Sequence, residues 1–224
     1  MSELVPEARL ADLRRLLAEK FPVTGHRPGG ILRTGLGDVD APEGGLRRAA
    51  LTELTSSTGS GAVFIQAMLL AVQRERCFAA LVDAARTFEP ESCPATSLAR
   101  LLVVFCADAM QAVQATDLLL RDGNLSLILL DFQAVPGAQL RRIPTNTWYR
   151  FQQLAEQTTA AVVVLTTEPT VEAAQVRIAG IGGWTLAAQR GWRHELMTGS
   201  RWRVFPRRIA SWSAPARECA HAIA

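Results

Sequence analysis

The stretch Leu51–Phe64 reads LTELTSSTGSGAVF and decides the fold of this chain. An apolar strand leads into a loop of small residues, and the opening of a helix follows. This order is typical of the phosphate-binding loop GxxxxGK[ST]. In that loop, backbone N–H groups and the helix N-terminus hold the phosphates, the lysine neutralises charge and the hydroxyl binds Mg²⁺.

The residues at the key positions of this loop lack that chemistry. If Gly61 is the second glycine, the first falls on Ser56, the lysine on Ala62 and the metal-binding hydroxyl on Val63. Lys20 is the only lysine in the chain, so no neighbouring lysine can take over. Because phosphoryl transfer depends on electrostatic stabilisation, we predict a degenerate nucleotide site without ATP hydrolysis. Its loop residues are Ser56, Gly59, Gly61, Ala62 and Val63.

Composition limits the other classes of site. The cysteines at 77, 93, 106 and 219 are irregularly spaced, and the chain has only 3 histidines. This pattern favours buried free thiols over a disulfide framework or a zinc site. We therefore expect no metal and no bound cofactor.

The chain carries no pattern typical of a membrane protein. The N-terminus lacks a basic region followed by an apolar core, and no apolar run reaches the roughly 18 residues that a spanning helix needs. We expect a reduced, cytoplasmic protein that makes no membrane contact.

Apolar strands and amphipathic helices alternate through the middle of the chain. Such alternation predicts an α/β domain with a mainly parallel sheet covered by helices on both faces. Asp108 is the expected N-cap of one helix, and Asp122–Asn124 its expected end. The expected strands are 49–54, 78–82, 101–105, 125–130 and 161–166, and the expected helices are 62–75, 108–121 and 146–157.

Two appendages flank this core, giving expected divisions at 1–24, 25–190 and 191–224. Residues 2–21 read as an amphipathic helix, and the Pro- and Gly-rich stretch 22–45 reads as a turn-rich entry to the sheet. The helix either packs on its own domain or docks on another protein. Its apolar face, and so the candidate partner-binding surface, is Leu10, Leu13, Leu17 and Phe21.

The C-terminal part predicts an antiparallel β extension made from 176–178, 184–189, 192–196 and 202–205. Arginines alternate there with tryptophans, a combination that suits single-stranded DNA, since phosphates need charge and bases need flat surfaces. The pattern fits equally a hairpin with its tryptophans inward, or a protein contact. The candidate DNA- or partner-binding residues are Arg190, Arg193, Arg201, Trp202, Arg203, Arg207 and Arg208.

Several segments, taken in order, resemble the core of the RecA family. They are TG at 34–35, an aspartate at 38 or 40, GGL at 44–46, the loop above, LVDAARTFEP at 81–90, the apolar strand ending in Asp131, and the strand 162–167. The resemblance spans about residues 30–180 and implies a RecA-like fold. It makes Asp131 the Walker B aspartate and adds it to the degenerate site.

The same resemblance implies that further catalytic groups are missing. The family's catalytic glutamate falls on Ala85, and its glutamine that senses the γ-phosphate falls in Thr166–Glu168. We therefore expect a pseudo-ATPase.

Within the family, RRIPTNTW at 141–148, LTTEP at 165–169 and the arginine-rich tail look most like ImuA-type proteins. That resemblance implies a non-catalytic adaptor in the DNA damage (SOS) response. It would support error-prone translesion synthesis through a Y-family polymerase homologue, RecA or both, and single-stranded DNA is a further candidate partner. The alternatives are a SulA-like cell-division inhibitor and a weak DNA-dependent ATPase whose cation comes in trans.

Overall fold

The structure is a computed structural model that describes residues 30–56, 59–181, 196–197 and 199–206. Its strands are β1 (Ile31–Leu32), β2 (Leu46–Arg47), β3 (Ala50–Thr55), β4 (Ala79–Asp83), β5 (Leu101–Phe105), β6 (Leu127–Asp131), β7 (Ala161–Thr166), β8 (Val176–Ile181) and β9 (Arg201–Pro206). Its helices are α1 (Gly37–Glu43), α2 (Ser60–Arg74), α3 (Ala95–Leu98), α4 (Ala109–Asp122), α5 (Gly137–Leu140) and α6 (Thr145–Thr158), with a 3₁₀ turn at Pro90–Ser92.

Seven strands form one sheet in the order β5-β4-β6-β7-β3-β8-β9. The pairs are parallel except for β8 with β9, which are antiparallel. The strands β1 and β2 form a separate antiparallel pair. The predicted fold class is confirmed: the domain is α/β, with a mostly parallel sheet flanked by helices, and is consistent with a RecA-like fold.

Apolar side chains cover both faces of the sheet, which explains the continuous apolar strands. One core cluster lies under α2 and includes Phe64 and Met68, and the other lies under α4 and α6 and includes Phe132 and Phe151. Residues of β4, β6 and β7 are buried throughout. Parallel strands packed on both faces need such runs, because neither face meets water.

Most predicted elements have the predicted bounds within two residues, and 101–105 and 161–166 match them fully. The expected cap of α4 is confirmed, since the Asp108 carboxylate accepts a hydrogen bond from Gln111 N–H at 2.8 Å. Gly123 ends that helix with φ 71°, a left-handed conformation that glycine adopts without strain. No helix among the described residues is long and apolar enough to cross a membrane.

Two sequence interpretations were wrong in detail. The stretch 22–45 contains helix α1 with Pro42 inside it, where only turns were expected. The Asp40 carboxylate stabilises the entry to α1 by accepting hydrogen bonds from the N–H groups of Thr34 and Gly35, both at 2.9 Å. Strand β8 also pairs parallel with β3, so the antiparallel extension begins only at β9.

The remaining predictions for the chain ends lie largely outside the described residues. Those are the helix at 2–21, the division at residue 24, and the strand at 184–189. The strand expected at 192–196 does not include its last residue, because Leu196 and Met197 are helical.

Strand β5 is a free edge of the sheet among the described residues. Its sequence, LLVVF, has no charged residue, yet Leu102 is 48% exposed and Phe105 is 44% exposed. Leu118 on the neighbouring helix α4 is 69% exposed. This edge therefore presents apolar side chains together with unpaired backbone groups to solvent.

Candidate functional site

The loop between β3 and α2 brings the predicted nucleotide-site residues to the carboxyl end of the sheet. Gly59 has φ 74° and directly precedes the helix, so glycine is favoured at this left-handed position. The hydroxyls of Ser56 and Ser60 are hydrogen-bonded to each other across the described part of the loop, and both residues are buried.

Gly61 lies in the first turn of α2 and contacts the side chain of Gln133, which follows β6. A Cβ atom at this position would overlap the Gln133 amide. In a phosphate-binding loop the matching glycine lets the backbone approach a phosphate. Here the space beside Gly61 is taken by a neutral side chain of the protein itself.

An open cavity of about 370 Å³ lies beside this helix start. It is lined by Ser56, Gly59, Ala62, Ile65, Gln66, Thr87, Phe88, Glu89, Cys93, Asp131, Gln133, Ala134 and Thr167. No arginine, lysine or histidine is among these lining residues, whereas two are acids. The described wall of the cavity is therefore negatively charged and repels a phosphate.

Of the predicted site residues, Ser56, Gly59, Ala62 and Asp131 line this cavity. Val63 does not, because it is 3% exposed and belongs to the core. Its buried isopropyl group stands where a metal-binding hydroxyl is needed. The described residues thus supply neither the cation nor the metal ligand of a magnesium nucleotide, and they do not fit that group.

Asp131 and Asp83 end neighbouring strands in direct register. The Asp131 side chain accepts a hydrogen bond from Gln133 N–H at 2.9 Å. The pKa of Asp131 is raised to about 6, chiefly by burial and also by the nearby Asp83, while the hydrogen bond from Gln133 N–H opposes the rise. A carboxyl group in this position holds its proton more tightly than it would in water.

Asp83 shapes the wall of the cavity, a role that sequence reasoning missed. Its fully buried carboxylate accepts hydrogen bonds from Ala85 N–H at 3.0 Å and Phe88 N–H at 2.7 Å. These bonds fold residues 84–88 back and place Phe88 and Glu89 on the cavity wall. The available sequence signal was an aspartate directly after a buried strand.

Ala85, at the position of the family's catalytic glutamate, is not among the lining residues. It packs against the second core cluster instead. A methyl group there supplies no base for activating water.

The residues at the end of β7 contact a buried carboxylate, and the glutamine that senses the γ-phosphate in the RecA family is absent from this position. Glu53, fully buried in β3, accepts hydrogen bonds from the N–H groups of Thr170 and Val171 and from the Thr166 hydroxyl at 3.2 Å. Arg177 pairs with the other oxygen of Glu53 at 2.8 Å. Thr166 therefore serves this network, and Thr167 is the residue of this segment that faces the cavity.

A second cavity of about 340 Å³ adjoins the first through Thr167. Its wall carries Arg141 from the segment 141–148, together with Glu168 and Glu172. Trp148 of the same segment is 2% exposed and packs edge-on against Phe132 and Phe151. Its indole belongs to the core.

The structure describes three of the candidate DNA- or partner-binding residues of the C-terminal part. Arg201 and Arg203 are exposed on β9. Trp202 between them is 5% exposed and meets Phe64 edge-on at 5.6 Å between ring centroids, and its indole N–H donates to Ser200 Oγ at 2.8 Å. The Trp202 ring is thus in the core, as the inward-facing alternative expects, and binding of DNA or a partner by the neighbouring arginines stays a prediction.

The other candidate binding residues lie outside the described residues. They are Arg190, Arg193, Arg207 and Arg208 in the C-terminal part, and Leu10, Leu13, Leu17 and Phe21 in the N-terminal helix.

Cys77 and Cys106 are buried free thiols, and Cys93 is a partly buried one. Across the described ranges, no group of three or more His, Cys, Asp or Glu side chains is arranged to hold a metal ion.

Comparison with known proteins does not assign the chain to a family. No protein-family model matches it, and no curated protein does.

Proposed function

We propose that this chain is a non-catalytic, RecA-like adaptor of the DNA damage response. It supports error-prone translesion synthesis by holding a Y-family polymerase homologue, RecA or both, with single-stranded DNA as a further contact. It works through binding surfaces and not through nucleotide hydrolysis.

The observation that carries this proposal is the charge of the cavity at the carboxyl end of the sheet. Its described wall has Glu89 and Asp131 but no basic side chain. A magnesium nucleotide needs several positive charges around its phosphates, and hydrolysis needs them placed accurately. A domain that keeps the fold while presenting this wall is better suited to binding proteins.

The free edge at β5 supports a protein-binding role. Leu102 and Phe105 expose apolar side chains beside backbone groups that are unpaired among the described residues, and Leu118 on α4 is exposed as well. Exposed apolar surface of this kind is uncommon on monomeric proteins and often marks a site of contact with another molecule. The predicted helix at 2–21, with its face of Leu10, Leu13, Leu17 and Phe21, is a second candidate contact.

The direct test is affinity capture of the tagged protein from its own cells after DNA damage, followed by mass spectrometry. Recovery of a Y-family polymerase homologue, RecA or a replicative polymerase is the expected result. Deletion of residues 1–21 should remove the captured partner while circular dichroism shows a folded domain. Recovery of the division machinery instead would favour a SulA-like inhibitor.

Nucleotide binding tests the other half of the proposal. Calorimetry with millimolar Mg-ATP should show no heat of binding for the wild-type protein. The variant Asp131→Ala is the control and should behave in the same way. If the wild-type protein binds Mg-ATP and D131A does not, the pseudo-ATPase hypothesis fails. The alternative of an ATPase whose phosphate-neutralising cation comes from a neighbouring molecule would then be favoured.

A further inference from the structure

Four arginines lie at the amino ends of the strands, on the rim opposite the cavities. Arg33 follows β1, Arg74 ends helix α2, Arg76 comes directly after the C-cap of that helix, and Arg100 precedes β5. Parallel strands of five or six residues are roughly 17–20 Å long, so this rim is well separated from Asp131 at the other end. The four residues are called the amino-end arginines below.

Contacts between these residues join them into one surface. The Arg74 guanidinium donates to the backbone carbonyl of Arg33. The Arg100 guanidinium donates to the carbonyl of Arg76 at 3.1 Å and lies over the Phe78 ring, 5.1 Å from its centroid. Each bond uses one of the five N–H donors of a guanidinium, so most donors remain available.

Within the described ranges, no carboxylate forms an ion pair with these cations. Among the described residues, ion pairs join Arg47 to Glu43, Arg121 and Arg150 to Asp117, and Arg177 to Glu53. None involves an amino-end arginine. Glu75 lies within the same segment and is exposed, but it is one acid beside four cations.

Arg76 occupies a backbone conformation that does not suit it. It has φ 53°, directly after the C-cap of α2, where glycine is the favoured residue. A side chain at such a position strains the backbone, and strained residues gather where the side chain has a function. Arg76 is exposed at this position.

The form of this surface indicates the size of its ligand. None of the four arginines lines either cavity described above. Cations spread over an open rim suit a polymer that places one phosphate after another, since a single small anion would meet only one or two of them.

We infer that the amino-end arginines bind the phosphate backbone of a nucleic acid, without reading its sequence. This surface requires neither a partner polymerase nor an altered nucleotide cavity. Binding is electrostatic, so it weakens as salt rises.

The chain supplies a matched pair of variants for the test. Arg76 and Arg86 both have positive φ, at 53° and 56°, and both are exposed. Arg86 follows β4 on the opposite rim. R76G and R86G therefore make the same chemical change, remove the same charge and relieve the same kind of strain, but only R76G alters the amino-end surface.

The experiment measures fluorescence anisotropy of a labelled 25-nucleotide oligo(dT) with the full chain, at several salt concentrations. R33E/R76G should weaken binding at least tenfold at low salt, and R76G alone about threefold. R86G should bind within twofold of wild type. Each lost phosphate contact should reduce the slope of log affinity against log salt by about 0.7.

Other results would overturn the inference. Equal losses in R76G and R86G would mean that net charge alone matters. Loss of binding in R207A/R208A, with R33E/R76G unaffected, would place the DNA at the C-terminal arginines. Failure of wild type to bind the oligonucleotide while it binds polyglutamate would make the surface a site for acidic protein.

Discussion

The side-chain amide of Gln133 lies against the backbone of Gly61, in the first turn of the helix where a phosphate-binding loop would face its ligand. The segment that follows β6 thereby contacts the start of α2 through a neutral side chain. A side chain at position 61 would have to displace the Gln133 amide, whether or not any phosphate is bound.

The contact between Gly61 and Gln133 predicts an energetic coupling. In a Q133A background, Gly61→Ala should stabilise the protein by roughly 0.5–1 kcal/mol, because alanine is the better helix former. In wild type the new methyl group must displace the Gln133 amide, so the gain should vanish or reverse. Urea denaturation of the four proteins measures the coupling. Equal effects of G61A in both backgrounds would show that the two residues do not interact.

The raised pKa of Asp131 predicts that replacing its carboxyl group with a neutral amide stabilises the protein, by an amount that depends on pH. Its pKa is raised to about 6 from an ordinary value of 3.8. The folded state therefore binds the proton more tightly, and the stability that this provides is present below pH 3.8 and lost as pH rises through 6. Asp131→Asn should raise the free energy of unfolding by about 2 kcal/mol at pH 7, since the asparagine oxygen can still accept from Gln133 N–H.

The control for this prediction is pH itself. At pH 4 the gain from D131N should fall to a small fraction of its value at pH 7, because the wild-type carboxyl is then protonated in the folded state. A gain that is equal at both pH values would place its origin in packing.

The Glu53 and Arg177 pair predicts a large cost for removing one partner. Arg177→Met leaves a fully buried carboxylate without its cation, which should cost roughly 3–5 kcal/mol. Changing Glu53 to Gln in the same protein should recover much of that loss, since the glutamine oxygen can still accept the N–H groups of Thr170 and Val171. Guanidinium denaturation of R177M and E53Q/R177M measures the difference. Equal stability of the two variants would contradict this account.

The positive φ of Arg76 predicts that R76G does not destabilise the fold. Glycine adopts this conformation without strain, so the free energy of unfolding should rise by up to about 1 kcal/mol. R86G should behave in the same way. Thermal unfolding of both variants measures this, and it also shows whether any loss of DNA binding in R76G comes from a folded protein. A lower melting temperature in R76G would mean that its guanidinium makes a structural contact.

The sheet could be predicted from sequence because its strands are buried on both faces. Residues such as Val162–Leu165 form an uninterrupted apolar run, which is typical of a parallel strand covered on both faces. The cap at Asp108 was also readable, because the side chain bonds to a backbone group only three residues away. Local chemistry of this kind is present in the sequence itself.

Other features depend on contacts between distant parts of the chain. The helix α1 forms although it contains Pro42, and Asp38 in its first turn accepts a hydrogen bond from Trp202 N–H at 3.0 Å, 164 residues away. The burial of Trp202 follows from its packing on Phe64, and alternation with arginine could not distinguish an inward from an outward ring. The contact of Gln133 with Gly61 likewise joins a loop to a helix start far away in the sequence, and the two share no common pattern.

Strand β5 affects how the protein behaves in the laboratory. Leu101–Phe105 carries none of the protections that edge strands commonly have, such as a lysine, a proline or a bulge. Because no described strand pairs with this edge, it offers other molecules a template for strand pairing, and self-association of the purified protein should increase with concentration. Co-expression with a binding partner, or a charge placed at Leu102, is therefore the practical route to a well-behaved sample.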